Sequence, residues 1–233
     1  MALKEPTISE TKLAHLKMSY EEFLQWADED THAEWVEGEV IVHMPPKDIH
    51  QTTSGFLYWL LRSFVDLFNL GKVVIAPFEV KLKPDGPARE PDIFFIAQEN
   101  LNRLTEERFV GPPDLIIEII SKESAHRDRH QKFNEYCQAG VREYWLIDSR
   151  PHKQGADFFY LNEQNEYELF ATEEDERVES RVLPGFWLRP DWLWRVETLN
   201  PLTIFFENMG GMSSEQVKEI QQTLRRGFSK DKD

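Results

Sequence analysis

Three acidic residues lie inside or beside apolar runs. Asp92 occurs in Glu90-Pro91-Asp92-Ile93-Phe94-Phe95-Ile96, and Asp114 and Glu118 occur in Asp114-Leu115-Ile116-Ile117-Glu118-Ile119-Ile120. A carboxylate in such a setting is costly to bury unless a cation or a set of donors meets it. Two of them on one sheet face make an oxygen-rich site for a hard divalent cation, with a backbone carbonyl and waters completing the coordination. Asp92 and Glu118 are the expected pair. Asp114 shares a strand face with Glu118, but at about 3.3 Å per residue their Cα atoms are roughly 13 Å apart, so Asp114 is expected to close the loop after Pro113 instead. The competing reading for Asp92 and Glu118 is a plain salt bridge to Lys81 or Arg142.

Just downstream, Ser121 to Lys132 reads Ser-Lys-Glu-Ser-Ala-His-Arg-Asp-Arg-His-Gln-Lys, the one clear basic cluster of the chain. On a helix, Lys132 stacks with Arg129 and Tyr136 by three- and four-residue spacing, beside an apolar stripe of Phe133, Tyr136 and Cys137. A lysine at that edge can reach the end of the Glu118 strand; the competing reading is a solvated helix face. His126 and His130 have a two-ligand helical spacing. No third ligand and no HExxH glutamate accompany them, which disfavours zinc.

The elements that must position these residues follow from periodicity. Ser19-x-x-Glu22 has capping-box spacing and predicts a short helix to about Asp28, and alternation around Glu37-Gly38 predicts a hairpin over Glu34 to Met44. Apolar residues recur at three and four from Ile49 to Phe68, which predicts a long amphipathic helix over Lys47 to Leu70, ended by Gly71. Strands are expected at Lys72 to Lys83, Glu90 to Ile96 and Asp114 to Ile120, then a helix over Glu123 to Ala139 and a strand over Glu143 to Asp148. From Lys47 the order is helix, three strands, helix, strand, so a mixed sheet flanked by helices is expected. Short strands at Phe158 to Leu161, Tyr167 to Ala171 and Arg181 to Leu188 read as an antiparallel extension without a core of its own. A last helix is expected over Ser214 to Phe228, followed by a charged tail.

The 233 residues include 42 Asp plus Glu against 27 Lys plus Arg, a formal charge of −15, with 40% hydrophobic and 12% aromatic residues. This is the composition of a folded chain long enough to bury a core. Its acidity argues against a surface that coats nucleic acid generally and leaves room for a local basic patch or a bound cation. The single cysteine, Cys137, excludes an intramolecular disulfide, and no window approaches a membrane span; a cytoplasmic protein is expected. The aromatic stretch Phe186-Trp187 with Trp192 and Trp194 reads either as core or as a homodimer surface.

Taken in order, several segments resemble the Uma family of restriction endonucleases, a branch of the PD-(D/E)XK nuclease superfamily. They are Met18 to Leu24, Glu34-x-x-x-Gly38-Glu39, His50, Pro91-Asp92, Glu118 to Ser121, Lys132, Ala139 to Asp148 and Leu183 to Phe186. The resemblance covers about residues 18 to 195. It implies a restriction-endonuclease-like αβββαβ core of the α/β (α+β) class, with a mixed sheet and the antiparallel C-terminal extension. The implied division is an N-terminal tail over 1–17, the nuclease-like domain over 18–195, and a helical extension with a charged tail over 196–233. It further implies Mg²⁺, or Mn²⁺, held by Asp92, Glu118 and the Ile119 carbonyl, with DNA as substrate. The lysine expected two residues after the second acid is absent, Ile120 standing there, and Lys132 is the matching cation. Glu34 matches a family glutamate proposed as an extra acid, and His50 a frequent helix-start histidine. Lys122, Arg127, Arg129 and His50 are the expected substrate contacts. The alternative is a nuclease-fold binding or assembly module without cleavage, for which Ile120 and the −15 charge speak.

Overall fold

The computed structural model describes residues 16–28, 31–42 and 47–208, together with 213, 215–216, 218–220 and 222–223. Most of the expected N-terminal tail and of the helix over Ser214 to Phe228 lies outside the described residues; those described between 215 and 223 are helical.

A two-residue strand, β1 (Leu16–Lys17), precedes α1 (Tyr20–Trp26). The capping box forms as expected: Ser19 Oγ accepts from the Glu22 amide at 3.2 Å, and the Glu22 carboxylate accepts from the Ser19 amide at 2.8 Å. Strands β2 (Ala33–Val36) and β3 (Glu39–Val42) form the hairpin, its two-residue turn carried by Glu37 at φ 49° and Gly38 at φ 86°. Positive φ at both turn positions matches the twist of the flanking strands.

Helix α2 (Asp48–Phe68) buries Phe56, Leu57, Leu60, Leu61, Phe64 and Val65 on one face. It ends at Asn69, which adopts the left-handed conformation at φ 52°. Gly71, the expected terminator, instead opens the next strand at φ 145°, where a Cβ would run into the Ile96 carbonyl oxygen.

The run Lys72 to Lys83, expected as one strand, is two: β4 (Gly71–Ile75) and β5 (Glu79–Lys81), in different sheets. Next come β6 (Ala88–Arg89), β7 (Ile93–Ala97), β8 (Arg108–Val110) and β9 (Leu115–Ile119). The expected helix over Glu123 to Ala139 is a π-helical turn, Arg127–Lys132, leading into α3 (Phe133–Ala139), which Gly140 ends at φ 93°. Strand β10 (Glu143–Asp148) is buried throughout and is followed by β11 (Gly155–Leu161) and β12 (Tyr167–Thr172). Arg181 to Leu188 is mainly turn; only β14 (Trp187–Leu188) is extended, pairing with β13 (Val178–Glu179) as a separate ribbon. Helix α4 (Pro201–Asn208) follows.

The central sheet has six strands in the order β12-β11-β10-β9-β7-β4, with β9 and β10 parallel and the other pairs antiparallel. The series α2, β4, β7, β9, α3, β10 is the αβββαβ core. A second six-stranded sheet, β1-β3-β2-β6-β5-β8, stands beside it.

Alternation along the central strands sorts side chains into two cores. Ile93, Phe95, Leu115, Ile117 and Ile119 pack under α2. Phe94, Ile96, Ile116 and Ile120 face the other way, onto Tyr136 of α3 and onto Val80 and Phe109 of the second sheet. Phe186 and Trp192 are buried in the α2 core, and the partly buried Trp187 and Trp194 pack against it, which fits the core reading of this aromatic stretch. The chain beyond residue 195 joins the same core through Val196 and Ile204, with Phe205 edge-on to Trp59 of α2. Among the described residues no helix is long and apolar enough to cross a membrane.

Candidate active site

The antiparallel register of β7 and β9 pairs Ile93 with Ile117 and Phe94 with Ile116. Asp92 immediately precedes β7, and its carboxylate reaches the Ile119 amide, next to Glu118 on β9. Sequence alone could put these acids on neighbouring strands; the register brings them side by side.

Each acid is held by one oxygen. Asp92 Oδ2 accepts from the Ile119 amide at 2.7 Å and lies 3.3 Å from His50 Nε2. Glu118 Oε1 accepts both from Lys132 Nζ at 2.9 Å and from the Tyr136 hydroxyl at 2.6 Å. Among the described residues, Asp92 Oδ1 and Glu118 Oε2 accept no hydrogen bond. Two anchored carboxylates with one open oxygen each is the donor set that suits a hard cation such as Mg²⁺, which takes one or two carboxylates and keeps several waters. It does not suit an ion needing a full protein cage: no cluster of three or more His, Cys, Asp and Glu fit to hold a metal occurs among the described residues. The His126 and His130 rings, 4.8 Å apart, therefore gain no third ligand there.

Lys132 brings a cation to Glu118 from the π-helical turn. It is 3% exposed, and its amine also lies 3.2 Å from Glu34 Oε1 and 3.5 Å from Asp128 Oδ1. Burial alone would lower the lysine; the charges of Glu118, Glu34 and Asp128 outweigh it and hold the amine above its usual range. Burial pushes the Glu118 carboxyl up to about 8, against the pull of Lys132 and with the nearby acids Asp128, Asp92 and Glu34 reinforcing the rise. Ile120, in the position where the strand lysine was expected, is buried in the core.

Glu34 is fully buried behind Lys132. Its Oε2 accepts from Arg89 Nη1 at 3.0 Å and its Oε1 from the Glu90 amide at 3.2 Å. Arg89, also without exposed surface, donates to both oxygens of Glu135 at 2.8 and 2.7 Å. The π-helical turn explains a further contact. Arg127 and Lys132 are five residues apart, the spacing that a π-helix aligns. Both point at Glu34, Arg127 Nε at 3.8 Å.

Of the expected substrate contacts, Lys122 and Arg129 are exposed, Arg129 lying 3.5 Å from Asp148 and 3.4 Å from Asp157. Arg127 turns inward, and His50 sits against Asp92 with its Nδ1 buried and unpartnered. Burial lowers His50, yet the Asp92 and Glu118 charges raise it above its ordinary value. The two partners considered for a plain salt bridge are elsewhere: Arg142 is 3.7 Å from Asp114, and Lys81 stacks over the Tyr20 ring at 3.6 Å. Asp114 accepts from the Ala97 amide at 2.7 Å and from Asn100, as a loop-closing acid should.

Sequence reasoning did not find the Tyr136 hydroxyl, Arg89, Glu135 or Glu90. Tyr136 carried a signal in its four-residue spacing from Lys132. Burial, reinforced by the nearby Glu34 and Glu79 charges, pushes the Glu90 carboxyl up to about 8.

The αβββαβ core with its mixed central sheet is an α+β fold. The chain belongs to the Uma2 family, whose sequence model is described as "Putative restriction endonuclease" and matches residues 20–191. In fold it is similar to the crystal structure of "a putative nuclease belonging to DUF820" from Anabaena variabilis, at a TM-score of 0.62 and 19% identity, over 76% of this chain and 97% of that one. No curated protein matches the chain.

Proposed function

We propose that the chain is a metal-dependent endonuclease that hydrolyses DNA phosphodiester bonds. The observation that carries this reading is that Asp92, held by the Ile119 amide, lies beside Glu118, with one open oxygen on each and the Lys132 amine 2.9 Å from the second acid. Asp92 Oδ1, Glu118 Oε2 and the Ile119 carbonyl are the groups that would hold Mg²⁺ or Mn²⁺. Such an ion supplies Lewis-acid charge at the scissile phosphate and lowers the pKa of water. Lys132, kept protonated by its acidic neighbours, places positive charge beside the developing anion. The Ile119 amide fixes Asp92, and Glu34 and Asp128 hold Lys132 in place from behind. Lys122 and Arg129, exposed nearby in the chain, are the cations placed to meet a phosphodiester backbone, Arg129 by leaving its contacts with Asp148 and Asp157.

Cleavage of plasmid and single-stranded DNA with Mn²⁺ tests the reading. Wild type should nick, while Asp92→Ala, Glu118→Ala and Lys132→Ala should each lose about a hundredfold or more, the scale set by removing one electrostatic stabiliser. Activity that survives all three substitutions would belong elsewhere. A binding module that has lost cleavage is the second reading, favoured by the buried Ile120; it predicts DNA retention by wild type without strand scission.

A further inference from the structure

Two donors converge on the same oxygen of Glu118. Lys132 is one, but it has other acceptors within reach, Glu34 at 3.2 Å and Asp128 at 3.5 Å, so it alone does not fix how the carboxylate is turned. Tyr136 is the other. Its hydroxyl donates to Glu118 Oε1 at 2.6 Å, among the shortest side-chain bonds in the site. The ring is fully buried, and its edge packs against Tyr144 at 5.3 Å between centroids, so the hydroxyl has no freedom to leave. Tyr144 is a useful contrast. It is a tyrosine of equal burial in the same core, but its hydroxyl donates to the Asp128 carbonyl at 3.1 Å, the usual way a core hydroxyl is satisfied by backbone.

We propose that Tyr136 is a positioning residue: by pinning Oε1 of Glu118 it turns Oε2 toward Asp92 and so decides which oxygen is offered to the cation. The inference rests on the metal-dependent reading above and deepens it. Groups that orient a ligating carboxylate change metal affinity by about ten- to a hundredfold when lost. Tyr136→Phe removes only the hydroxyl and keeps the ring in its packing.

The test is Mn²⁺ binding to the full chain by titration calorimetry, with Mn²⁺ paramagnetic resonance as a second readout, on wild type, Tyr136→Phe, Tyr144→Phe and Asp92→Ala. Metal-free thermal unfolding of each variant separates lost stability from lost affinity. Tyr136→Phe should raise the Mn²⁺ Kd about tenfold or more, while Tyr144→Phe, with a comparable loss of a buried hydroxyl, should stay within about twofold of wild type. If both tyrosine variants bind as wild type does and Asp92→Ala does not, the positioning role is overturned and the metal site stands. Equal weakening in both would make Tyr136 merely structural and also overturn it. If wild type and Asp92→Ala are indistinguishable, the metal-dependent reading and this inference fall together.

Discussion

A guanidinium with no exposed surface is tolerable only where charge meets its donors, and Arg89 meets Glu34 on the second sheet and Glu135 on α3. It therefore ties the two layers together directly behind Lys132. Removing one partner of such a pair leaves a buried charge uncompensated and costs about 3–5 kcal/mol, whereas removing both can be nearly neutral. Arg89→Met should lose stability on that scale in urea unfolding, and adding Glu34→Gln should recover part of it. A loss below about 1 kcal/mol for the single variant would show that the cluster is not sealed as described. Glu143 solves a similar problem without a cation: it accepts from Trp145 Nε1 at 2.6 Å, Ser180 Oγ at 3.0 Å and the amides of Arg181 and Val182 at 2.8 and 2.9 Å. Burial raises its carboxyl, and these four donors oppose the rise. The loop over 180–182 is thereby fastened to the central sheet. Glu143→Gln turns an amide N–H toward N–H and O–H donors and should cost about 1–3 kcal/mol in the same unfolding assay, the range for an unmet buried group.

At the scale of elements, the junction between α2 and the central sheet is the tightest turn that bears on the site. Gly71 combines φ 145° with a position where any Cβ meets the Ile96 carbonyl oxygen of β7, the strand that follows Asp92. Gly38, in the β2–β3 turn, has φ 86° and only a 3.9 Å neighbour in the Met18 carbonyl oxygen. Conformational strain alone costs about 1–2 kcal/mol. Gly38→Ala should fall in that range, and Gly71→Ala should cost clearly more, because backbone must also move; equal midpoints in thermal unfolding would contradict the close approach. The contrast shows what a sequence can and cannot reveal. Helix α2 was legible because its apolar residues recur at three and four, and Asp92 and Glu118 were legible because carboxylates in apolar runs need a reason. The split of Lys72 to Lys83 into two sheets was not, since alternation tells a face and not a partner strand. The π-helical turn was hidden because a three- and four-residue spacing was read through it. Tyr136 read as part of an apolar stripe, which it is; its hydroxyl acquires meaning only when α3 is laid over β9. Arg89 acquires its partners only where two sheets and a helix meet.

For the whole molecule, the −15 charge leaves the proposed DNA substrate only a local patch of cations to meet. Several acids are spent inside the fold: Glu34, Asp128 and Glu118 surround Lys132, and Asp114 and Glu143 close loops. The exposed cations of the Ser121 to Lys132 cluster are few, so engagement of a polyanion should be weak and steeply dependent on salt. Each phosphate neutralised contributes about −0.9 to the slope of log affinity against log salt. Replacing Lys122 and Arg129 together by alanine should reduce that slope by about 2 in a duplex-binding titration without divalent ion; an unchanged slope would place the contact face elsewhere. In the proposed function the open oxygens of Asp92 and Glu118 would share one cation. Anomalous diffraction from crystals grown with Mn²⁺ tests it most directly. A single peak bridging Asp92 Oδ1 and Glu118 Oε2, lost in Glu118→Ala, is the predicted result. A Mn²⁺ peak elsewhere, at His126 and His130 for example, with none between the two acids, would contradict it.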